Sequence, residues 1–508
     1  MEDLIVADWV KIAGYILFGI YVLTALWLFV NAMVQLHLLW HYKKKKQQPL
    51  TGALPDKLPC VTVQVPVYNE KYVIERLLQS LARLNYPKDK LQIQVLDDST
   101  DETVYLIDKI AAVLQQQDID IEVLRRPDRK GYKAGALQYG LPFCKGSLIA
   151  IFDADFTPHP QFLIQLLPSF TDEKTGLVQA RWSHLNKEEN ILTRIQTILL
   201  DTHFSVEQLG RAHAGYFINF CGTAGIWRKQ CIIDAGGWDG NVLSEDLDLS
   251  YRAQLRGWKM VYNQHIEVPA ELPAVLEAFK IQQFRWTKGM AQISRKTIKN
   301  LWQAPLPAAK KWHGIFHLMG SFVFVCLFIN ALLTVPLLVY RSLFPEFVTL
   351  TQFSLFTTIN LFALTLFYYT GTQSAAHRGK TDFFKHYPLF LVVYMGLSVQ
   401  NAVAVLQGLS GSRSAFIRTP KFNNQKGGAY LSKKFSWINW LELGILIYFI
   451  VGIALSVYFI DYFMLLFFLM ISSGLAYILA QSFTLETTKP RLTGMQVATV
   501  KAKQNARY

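Results

Sequence analysis

The long uncharged stretches near the two ends of the chain constrain its fold more than any other feature of the sequence. One apolar run covers residues 12–40 and others lie beyond Lys311, whereas most charged residues fall between Lys43 and Lys311. A run of about 20 apolar residues is long enough to cross a bilayer as a helix. The sequence therefore predicts a polar domain held between membrane-spanning segments.

Basic residues set the predicted direction of the first span. The run 12–40 is too long for a signal-peptide core and lacks a small-residue cleavage site, so we expect a retained anchor. Four lysines follow it at 43–46, and lysines accumulate on the cytoplasmic side of spans. We therefore expect a multi-pass protein with its N-terminus outside and its polar domain in the cytoplasm.

The C-terminal third is expected to add four crossings. The runs 314–340, 347–370, 437–459 and 463–483 are each long enough to span a bilayer. The run 389–409 lies between two basic loops, so a single crossing there would leave one loop on the wrong side. We expect it at the membrane surface or as a re-entrant segment. This gives five crossings, with six as the alternative.

Charge and cysteine usage narrow the partners of the chain. The formal net charge is +14, and the excess lies beside the predicted spans, where it suits anionic lipid headgroups. We therefore expect the lipid bilayer, and no nucleic acid, as a partner. The five cysteines have neither paired nor zinc-site spacing, which fits a reducing, cytoplasmic location.

Short apolar runs alternate with helix-like segments through the polar domain. The runs 61–65, 91–96, 122–124 and 148–152 have the composition of strands, and segments between them, such as 71–84, have helical spacing. This alternation predicts an α/β domain with a mostly parallel sheet and helices on both faces. Such sheets bind ligands beyond the C-terminal ends of their strands.

Acidic residues cluster at those predicted strand ends. Asp153 and Asp155 follow one strand, so both can reach a single hard cation such as Mg²⁺ or Mn²⁺, unless the pair occurs by chance. Asp97 and Asp98 follow another strand and suit hydrogen bonds to a base and a ribose. An ordinary turn that caps the next helix explains that second pair equally well.

Cations and a candidate base occur further along the chain. Residues 129–136 combine basic and small residues before a helix-like stretch, which suits phosphate oxygens or a solvated basic turn. Asp246 is a candidate general base, with helix capping as the alternative. Gln282 and Arg285 lie on one helical face. Arg285 can clamp a diphosphate and Trp286 can face a sugar ring, unless both are interfacial residues.

Together these motifs resemble the processive family 2 glycosyltransferases, which include cellulose, hyaluronan and mannan synthases. The family pattern D, DxD, D, QxxRW is matched in order by Asp97 and Asp98, Asp153 and Asp155, Asp246, and Gln282 with Arg285 and Trp286. The segments that are most similar to the cellulose-synthase-like A and C branches, which make mannan, glucomannan or the glucan of xyloglucan, are 130–137, 222–228, 234–238 and 271–273.

The resemblance implies a GT-A type catalytic domain, with a mostly parallel sheet, inserted between transmembrane helices. It implies Asp246 as the catalytic base and Asp153 and Asp155 as ligands of a divalent metal, Mg²⁺ or Mn²⁺. The residues implied to bind the donor are Asp97, Asp98, Lys133, Asp153 and Arg285. Those implied to bind the acceptor are Cys221, Gly222, Gln282 and Trp286.

A second resemblance lies near the C-terminus. The residues that are similar to the cellulose synthase gating loop, which closes over bound donor, are Phe416, Thr419, Pro420 and Lys421. Arg418 stands where that family usually has a valine, and Ser244 replaces the more usual threonine beside the candidate base. The family places this loop in the cytoplasm, which agrees with the five-span topology.

These expectations divide the chain into domains. They are an anchor at 1–45, a cytoplasmic GT-A domain at 46–290, interfacial helices at 291–312, a membrane region with an interface helix and the gating-type loop at 313–485, and a basic tail at 486–508. The expected setting is a plasma, bacterial inner or Golgi membrane. The expected partners are a nucleotide-sugar donor and a growing polysaccharide, and the sequence leaves a homo-oligomer open.

The expected activity is that of an inverting glycosyltransferase, since the site offers one base and no second nucleophile. It would polymerise a β-linked glucan or mannan, with β-1,4 as the expected linkage, from UDP-glucose or GDP-mannose and move the chain across the membrane. Two alternatives stay open. One is addition of a single sugar to a lipid such as ceramide, and the other is a scaffold or transporter with a degenerate transferase domain.

Overall fold

A computed structural model describes residues 2–44, 54–344, 347, 354–376, 380–412, 414, 416–419, 421 and 436–487. The polar domain contains a seven-stranded sheet. Its strands are β1 (Val61–Val67), β2 (Leu91–Asp97), β3 (Asp120–Leu124), β4 (Leu148–Ile151), β5 (Thr175–His184), β6 (Gly225–Arg228) and β7 (Lys259–Ala270). The first four lie within a few residues of the predicted strands.

The sheet is mostly parallel, as the sequence predicts. The strand order is β3-β2-β1-β4-β6-β5-β7. β1 pairs in parallel with β2 and β4, β2 with β3, and β5 with β7, whereas β6 is antiparallel to both of its neighbours. The C-terminal ends of β1, β2 and β4 therefore meet at one edge of the sheet, where the acidic motifs lie.

Helices cover both faces of this sheet. The helices of the polar domain are α2 (Ile74–Ala82), α3 (Thr103–Gln115), α4 (Tyr132–Gly140), α5 (Phe162–Leu166), α6 (Ile191–Thr202), α7 (Gln208–Ala214), α8 (Lys229–Asp234) and α9 (Glu245–Leu255). Alternate residues of a strand point to opposite faces. Accordingly, Leu148 and Ala150 of β4 pack in one buried apolar core, and Ile149 and Ile151 pack in the other.

A long helix leads from the polar domain to the membrane region. Helix α10 runs without a break over Leu276–Gln303, and α11 follows at Ala308–Leu318. The domain boundary predicted at residue 290 therefore falls inside one helix. The buried residues of α10 extend from Leu276 to Leu301, so the same helix packs against the polar domain at its start and continues beyond it.

The remaining helices are largely apolar. They are α1 (Glu2–Lys44), α12 (Val323–Leu343), α13 (Ser354–Ala376), α14 (Lys380–Gly396), α15 (Ser398–Ser410), α16 (Trp437–Tyr458) and α17 (Tyr462–Thr487). Among the described residues, four helices are long and apolar enough to cross a membrane: Trp9–Lys44 within α1, Gly320–Leu343 ending α12, α16, and Tyr462–Phe483 within α17.

Two predicted membrane segments do not correspond to a single candidate span. The run 389–409, expected not to cross once, falls on α14 and α15, which are bent by 49° at a short break, as in a broken span or a re-entrant loop. The predicted crossing at 347–370 overlaps α13, which is not one of the four candidate spans. Residues 348–353 of that run, and residues 488–508 of the predicted basic tail, lie outside the described residues.

Candidate active site

One cavity brings most of the sequence-predicted site residues together. Its wall includes Asp98, Lys133, Asp153, Asp155, Cys221, Gly222, Asp246, Gln282, Arg285, Trp286, Phe416, Thr419 and Lys421. These residues come from the ends of β2 and β4, the starts of α4 and α9, the loop before β6, helix α10 and the segment after α15. The cavity thus lies beyond the C-terminal strand ends, where parallel sheets bind ligands.

The two predicted donor-binding aspartates after β2 lie in different environments. Asp97 is buried and is not part of the cavity wall, because its carboxylate accepts hydrogen bonds from Arg125 Nε at 2.8 Å and the Ser99 amide at 2.9 Å. Asp98 lines the cavity and accepts two bonds from Arg126, at 2.8 and 2.6 Å. Asp97 therefore shapes the turn that presents Asp98.

Lys133 connects the predicted metal motif to the loop before β6. Its ammonium lies 2.5 Å from Asp153 Oδ1 and donates to the Gly222 carbonyl at 2.9 Å. Burial alone would lower the pKa of Lys133, but Asp153 and Glu245 together raise it above its ordinary value. The amine therefore stays charged and holds the Asp153 carboxylate in place.

Two adjacent buried carboxylates begin helix α9. Burial raises the pKa of Glu245 to about 7, with Asp246 adding to the rise, and burial also raises the pKa of Asp246. The Leu247 amide donates to Asp246 Oδ1 at 2.8 Å and fixes its orientation. Glu245 was not selected from the sequence, although its position beside the candidate base was a signal. A buried carboxylate with a raised pKa can accept a proton near neutral pH.

Helix α10 supplies the predicted QxxRW motif, and all three of its side chains line the cavity. Gln282 is buried, and the Arg285 guanidinium carbon lies 4.4 Å from the Phe416 ring centroid. Burial lowers the pKa of Arg285, although Glu245 and Asp153 oppose the shift. Trp286 and Cys221, two predicted acceptor residues, pack against the same hydrophobic cluster.

The segment that resembles a gating loop contributes residues to the cavity wall. We call its described residues, 416–419 and 421, the strap; Pro420, which was predicted to belong to it, lies outside the described residues. Lys421 Nζ lies 2.9 Å from Asp155 Oδ2 and also donates to the carbonyl of Glu271. The Phe416 ring stacks on Tyr132 at a centroid distance of 5.8 Å.

A second ion pair attaches the strap to the loop after β1. Arg418 Nη1 lies 2.5 Å from Glu70 Oε2, and both side chains are largely buried. Burial raises the pKa of Glu70 to about 7, although Arg418 opposes the rise. The sequence analysis did not assign a role to Glu70, because its partner lies far away in the chain.

The carboxylates of the cavity fit a metal bound together with substrate. Asp153 keeps 35% of its side-chain surface exposed. Among the described residues, there is no group of three or more His, Cys, Asp or Glu side chains that could hold a metal ion. Mg²⁺ is typically bound by one or two carboxylates plus substrate phosphates and waters, rather than by an all-protein cage. Asp153 and Asp155 fit that kind of site.

Comparisons with known proteins support this interpretation of the domain. Residues 59–289 match the family model described as "Glycosyltransferase like family 2". A probable glucomannan 4-beta-mannosyltransferase 4 of Oryza sativa subsp. japonica is 41% identical over 281 residues, which cover 54% of this chain and 51% of the relative. Glucomannan 4-beta-mannosyltransferase 2 of Arabidopsis thaliana is 42% identical over 253 residues, covering 48% and 47%. This chain spans about half the length of these curated relatives.

A solved structure shares the fold. The mannosyltransferase PcManGT from Pyrobaculum calidifontis, determined in complex with GDP-Man and Mn²⁺, aligns with a TM-score of 0.51 and 19% identity over 72% of this chain and 100% of that one. This likeness confirms the predicted GT-A type sheet with helices on both faces. The family match bears out the predicted resemblance to the family 2 glycosyltransferases for the domain at residues 59–289.

Proposed function

We propose that the protein is a membrane-embedded, inverting β-1,4-mannosyltransferase that extends a mannan or glucomannan chain from GDP-mannose. The observation that carries the proposal is the convergence of four motifs, widely separated in sequence, on one cavity. The names of the relatives favour mannose over glucose. The acidic motif residues are all present, and so are Gln282 and Arg285. A degenerate transferase domain would be expected to have lost some of them.

Asp246 is the proposed general base. It takes the proton from the attacking hydroxyl of the acceptor sugar, and burial raises its pKa, which makes it a stronger base than an ordinary aspartate. The hydroxyl oxygen attacks the anomeric carbon from the face opposite the departing diphosphate. An α-linked donor therefore yields a β-linked product.

Cations of the cavity stabilise the leaving group. Arg285 and Lys133 face the same cavity as Asp246, and charge placed in advance where it develops lowers the barrier. Asp153 and Asp155 would hold a divalent cation, Mg²⁺ or Mn²⁺, that supplies further positive charge at the diphosphate. The strap cation Lys421 lies on Asp155, so closure of the strap adds charge to the same region.

The proposed topology places the catalytic domain in the cytoplasm and the N-terminus outside. The lysines that follow α1 support this direction, and the four candidate spans support a multi-pass protein. We propose that the growing chain passes between these helices. This step separates the proposal from addition of one sugar to a lipid, which needs no path across the membrane.

Product analysis tests the proposal directly. Purified full-length protein in lipid nanodiscs is incubated with Mn²⁺ and labelled GDP-mannose or UDP-glucose, and the product is sized and digested with β-1,4-mannanase or β-1,4-glucanase. We expect a polymer from GDP-mannose that mannanase degrades. Release of no nucleotide from either donor would exclude the activity. A lipid carrying a single sugar would establish the alternative.

A substitution at the proposed base gives a second test. We expect Asp246→Asn to bind labelled GDP-mannose with the affinity of the unmodified protein while releasing no GDP, because a neutral amide cannot accept the proton. Equilibrium binding and GDP release are measured on the same preparation. Polymer synthesis by this variant would show that another group is the base.

A further inference from the structure

Two residues of β5 that line the cavity each carry a buried polar atom with no hydrogen-bond partner among the described residues. Trp182 and His184 end this strand, two residues apart, and both line the cavity. Side chains at this spacing point to the same face of a strand. Neither residue belongs to the motifs that identified the site, so the family pattern gives them no role.

His184 is held in one orientation by a buried acid. Its side chain is 4% exposed, and Nε2 lies 3.2 Å from Oδ1 of Asp201, which is buried in α6. An ionised carboxylate only accepts hydrogen bonds, so Nε2 carries the hydrogen and Nδ1 keeps its lone pair. Within the described part of the chain, Nδ1 is buried and has no hydrogen-bond partner.

Trp182 has a hydrogen-bond donor, its indole N–H, where His184 has an acceptor. Its ring is fixed by edge and tilted contacts with Phe156 and Phe204, at centroid distances of 5.2 and 5.0 Å. Its Nε1, which can only donate, is also buried without a partner among the described residues. Because buried polar atoms are nearly always hydrogen-bonded, a donor and an acceptor left unpaired on one cavity wall indicate a ligand with hydroxyl groups.

The residues around Trp182 and His184 indicate whether this wall binds the donor or the acceptor. Trp182 packs in the same hydrophobic cluster as Cys221 and Trp286, which also contains Leu200 and Leu272. This apolar and aromatic surface suits a neutral sugar ring. The diphosphate of a donor would instead be expected near the charged groups at Lys133 and Arg285.

We infer that Trp182 and His184 form a binding subsite for a pyranose of the acceptor glycan. A sugar hydroxyl donates its hydrogen to His184 Nδ1, and a hydroxyl oxygen accepts the hydrogen of Trp182 Nε1. Asp201 is a positioning residue, because it selects the tautomer of His184 that leaves Nδ1 free to accept. The inference rests on the proposed function, since it assigns this wall to the acceptor of that reaction.

The test separates acceptor binding from donor binding. Full-length protein in nanodiscs is assayed for transfer from GDP-mannose to β-1,4-mannotetraose, with each substrate varied in turn. For His184→Phe, which keeps a ring and removes both nitrogens, we expect the acceptor KM to rise about three- to tenfold, the effect of one lost neutral hydrogen bond. The donor KM and the binding of labelled GDP-mannose should stay unchanged.

Further variants give the matched controls. His184→Asn keeps a polar atom near the position of Nδ1 and should restore most of the acceptor affinity. Trp182→Phe removes only the N–H group and a ring, and should raise the acceptor KM in the same way, which also provides the test if His184→Phe does not fold. His265→Phe, at an exposed position of β7, should change neither KM.

The outcomes distinguish this inference from the proposed function. Absence of GDP release by the unmodified protein would overturn the proposed function. An active unmodified protein with an unchanged acceptor KM in both His184→Phe and Trp182→Phe would overturn the subsite alone. A parallel rise of donor and acceptor KM would also overturn it, since that pattern indicates a general disturbance of the cavity.

Discussion

At the scale of single residues, Gly222 brings the backbone close to the proposed base. Its φ is +83°, and a Cβ placed there would lie 3.1 Å from Asp246 Oδ2 and 3.5 Å from Lys133 Nζ. We expect Gly222→Ala to abolish most turnover, because the methyl group crowds the base, and to cost about 1–2 kcal/mol for the left-handed backbone. GDP release and thermal unfolding measure the two effects.

Gly215 provides the matched control. Its φ is +70°, but the space around it is open. Gly215→Ala should therefore lose similar stability and keep its turnover. Equal turnover in the Gly215→Ala and Gly222→Ala variants would show that close contact with Asp246 has no role in catalysis.

The two carboxylates at the start of α9 predict the pH dependence of the reaction. The proposed mechanism requires ionised Asp246, whose pKa burial raises, so activity should fall as the pH is lowered through this raised pKa. We expect the acid limb of kcat/KM to lie above the value of about 4 of an ordinary aspartate. Because burial raises the pKa of Glu245 to about 7, this residue is protonated along the acid limb, and the neutral substitution Glu245→Gln should leave the limb nearly in place. A limb near pH 4 in the unmodified protein, or a clear shift of the limb in the variant, would contradict this account.

Most residues that short motifs predicted as site residues lie together around one cavity. Asp153 and Asp246 line the cavity as expected, because a motif at a strand end or a helix start has a position fixed by local structure. Glu70 and Asp201 were missed because their partners, Arg418 and His184, lie elsewhere in the sequence. A lone buried acid carries no sequence signal when its role depends on a distant contact.

At the scale of elements, a buried ion pair connects helix α10, which carries the QxxRW motif, to α16. Lys280 Nζ lies 3.5 Å from Glu442 Oε2, and both side chains are buried. Gln400 of α15 donates to the Lys280 carbonyl at 3.0 Å. Since Lys280 is two residues from Gln282, this contact fixes the position of the QxxRW motif relative to the membrane region.

Removal of one partner of this pair should destabilise the protein. We expect Glu442→Ala to lower the free energy of unfolding by about 3–5 kcal/mol, because it leaves the Lys280 charge buried and unpaired. The double variant Lys280→Met/Glu442→Leu should recover most of that loss. Thermal unfolding in detergent gives the comparison, and equal stability of the single and double variants would argue against an energetic role for the pair.

The strap predicts an effect on the donor. Arg418→Ala leaves Glu70 without its guanidinium partner, so the closed strap should be less stable and bound donor should dissociate faster. Stopped-flow release of a fluorescent GDP-mannose analogue measures this rate. Lys71→Ala, which breaks an exposed pair with Glu102, is the control and should leave the rate unchanged. Identical rates for both variants would show that Arg418 does not hold the strap.

Elements with a clear periodicity were predicted, and those without one were not. Strands β1, β2 and β4 are almost entirely buried and are rich in Val, Leu and Ile, so the sequence predicted their positions within a few residues. Strand β5 buries a charged residue, Arg181, in its second half, so its pattern did not reveal a strand. The predicted end of the catalytic domain at residue 290 falls inside α10. The sequence has no capping signal there that would mark the end of a helix.

At the scale of the whole molecule, the distribution of charge predicted the architecture better than local hydropathy did. The uncharged flanks correctly separated the polar domain from four candidate spans. Helix α13 is not among those four, and residues 348–353 of its predicted run lie outside the described part of the chain. Packing between helices does not encode direction across the bilayer, so the proposed sidedness depends on the lysines after α1.

Native cysteines test that sidedness. Cys60 is exposed in the segment before β1, whereas Cys144, Cys231 and Cys326 are buried. We expect a membrane-impermeant maleimide to label Cys60 in sealed vesicles with the cytoplasmic face outward and not in vesicles of the opposite orientation. Cys60→Ser should remove this labelling, and Asp3→Cys in that background should react only in the opposite orientation. If Cys60 and the residue 3 cysteine were labelled from the same side, α1 would not cross the membrane, and the catalytic cavity could not be assigned to the cytoplasm from the lysine run.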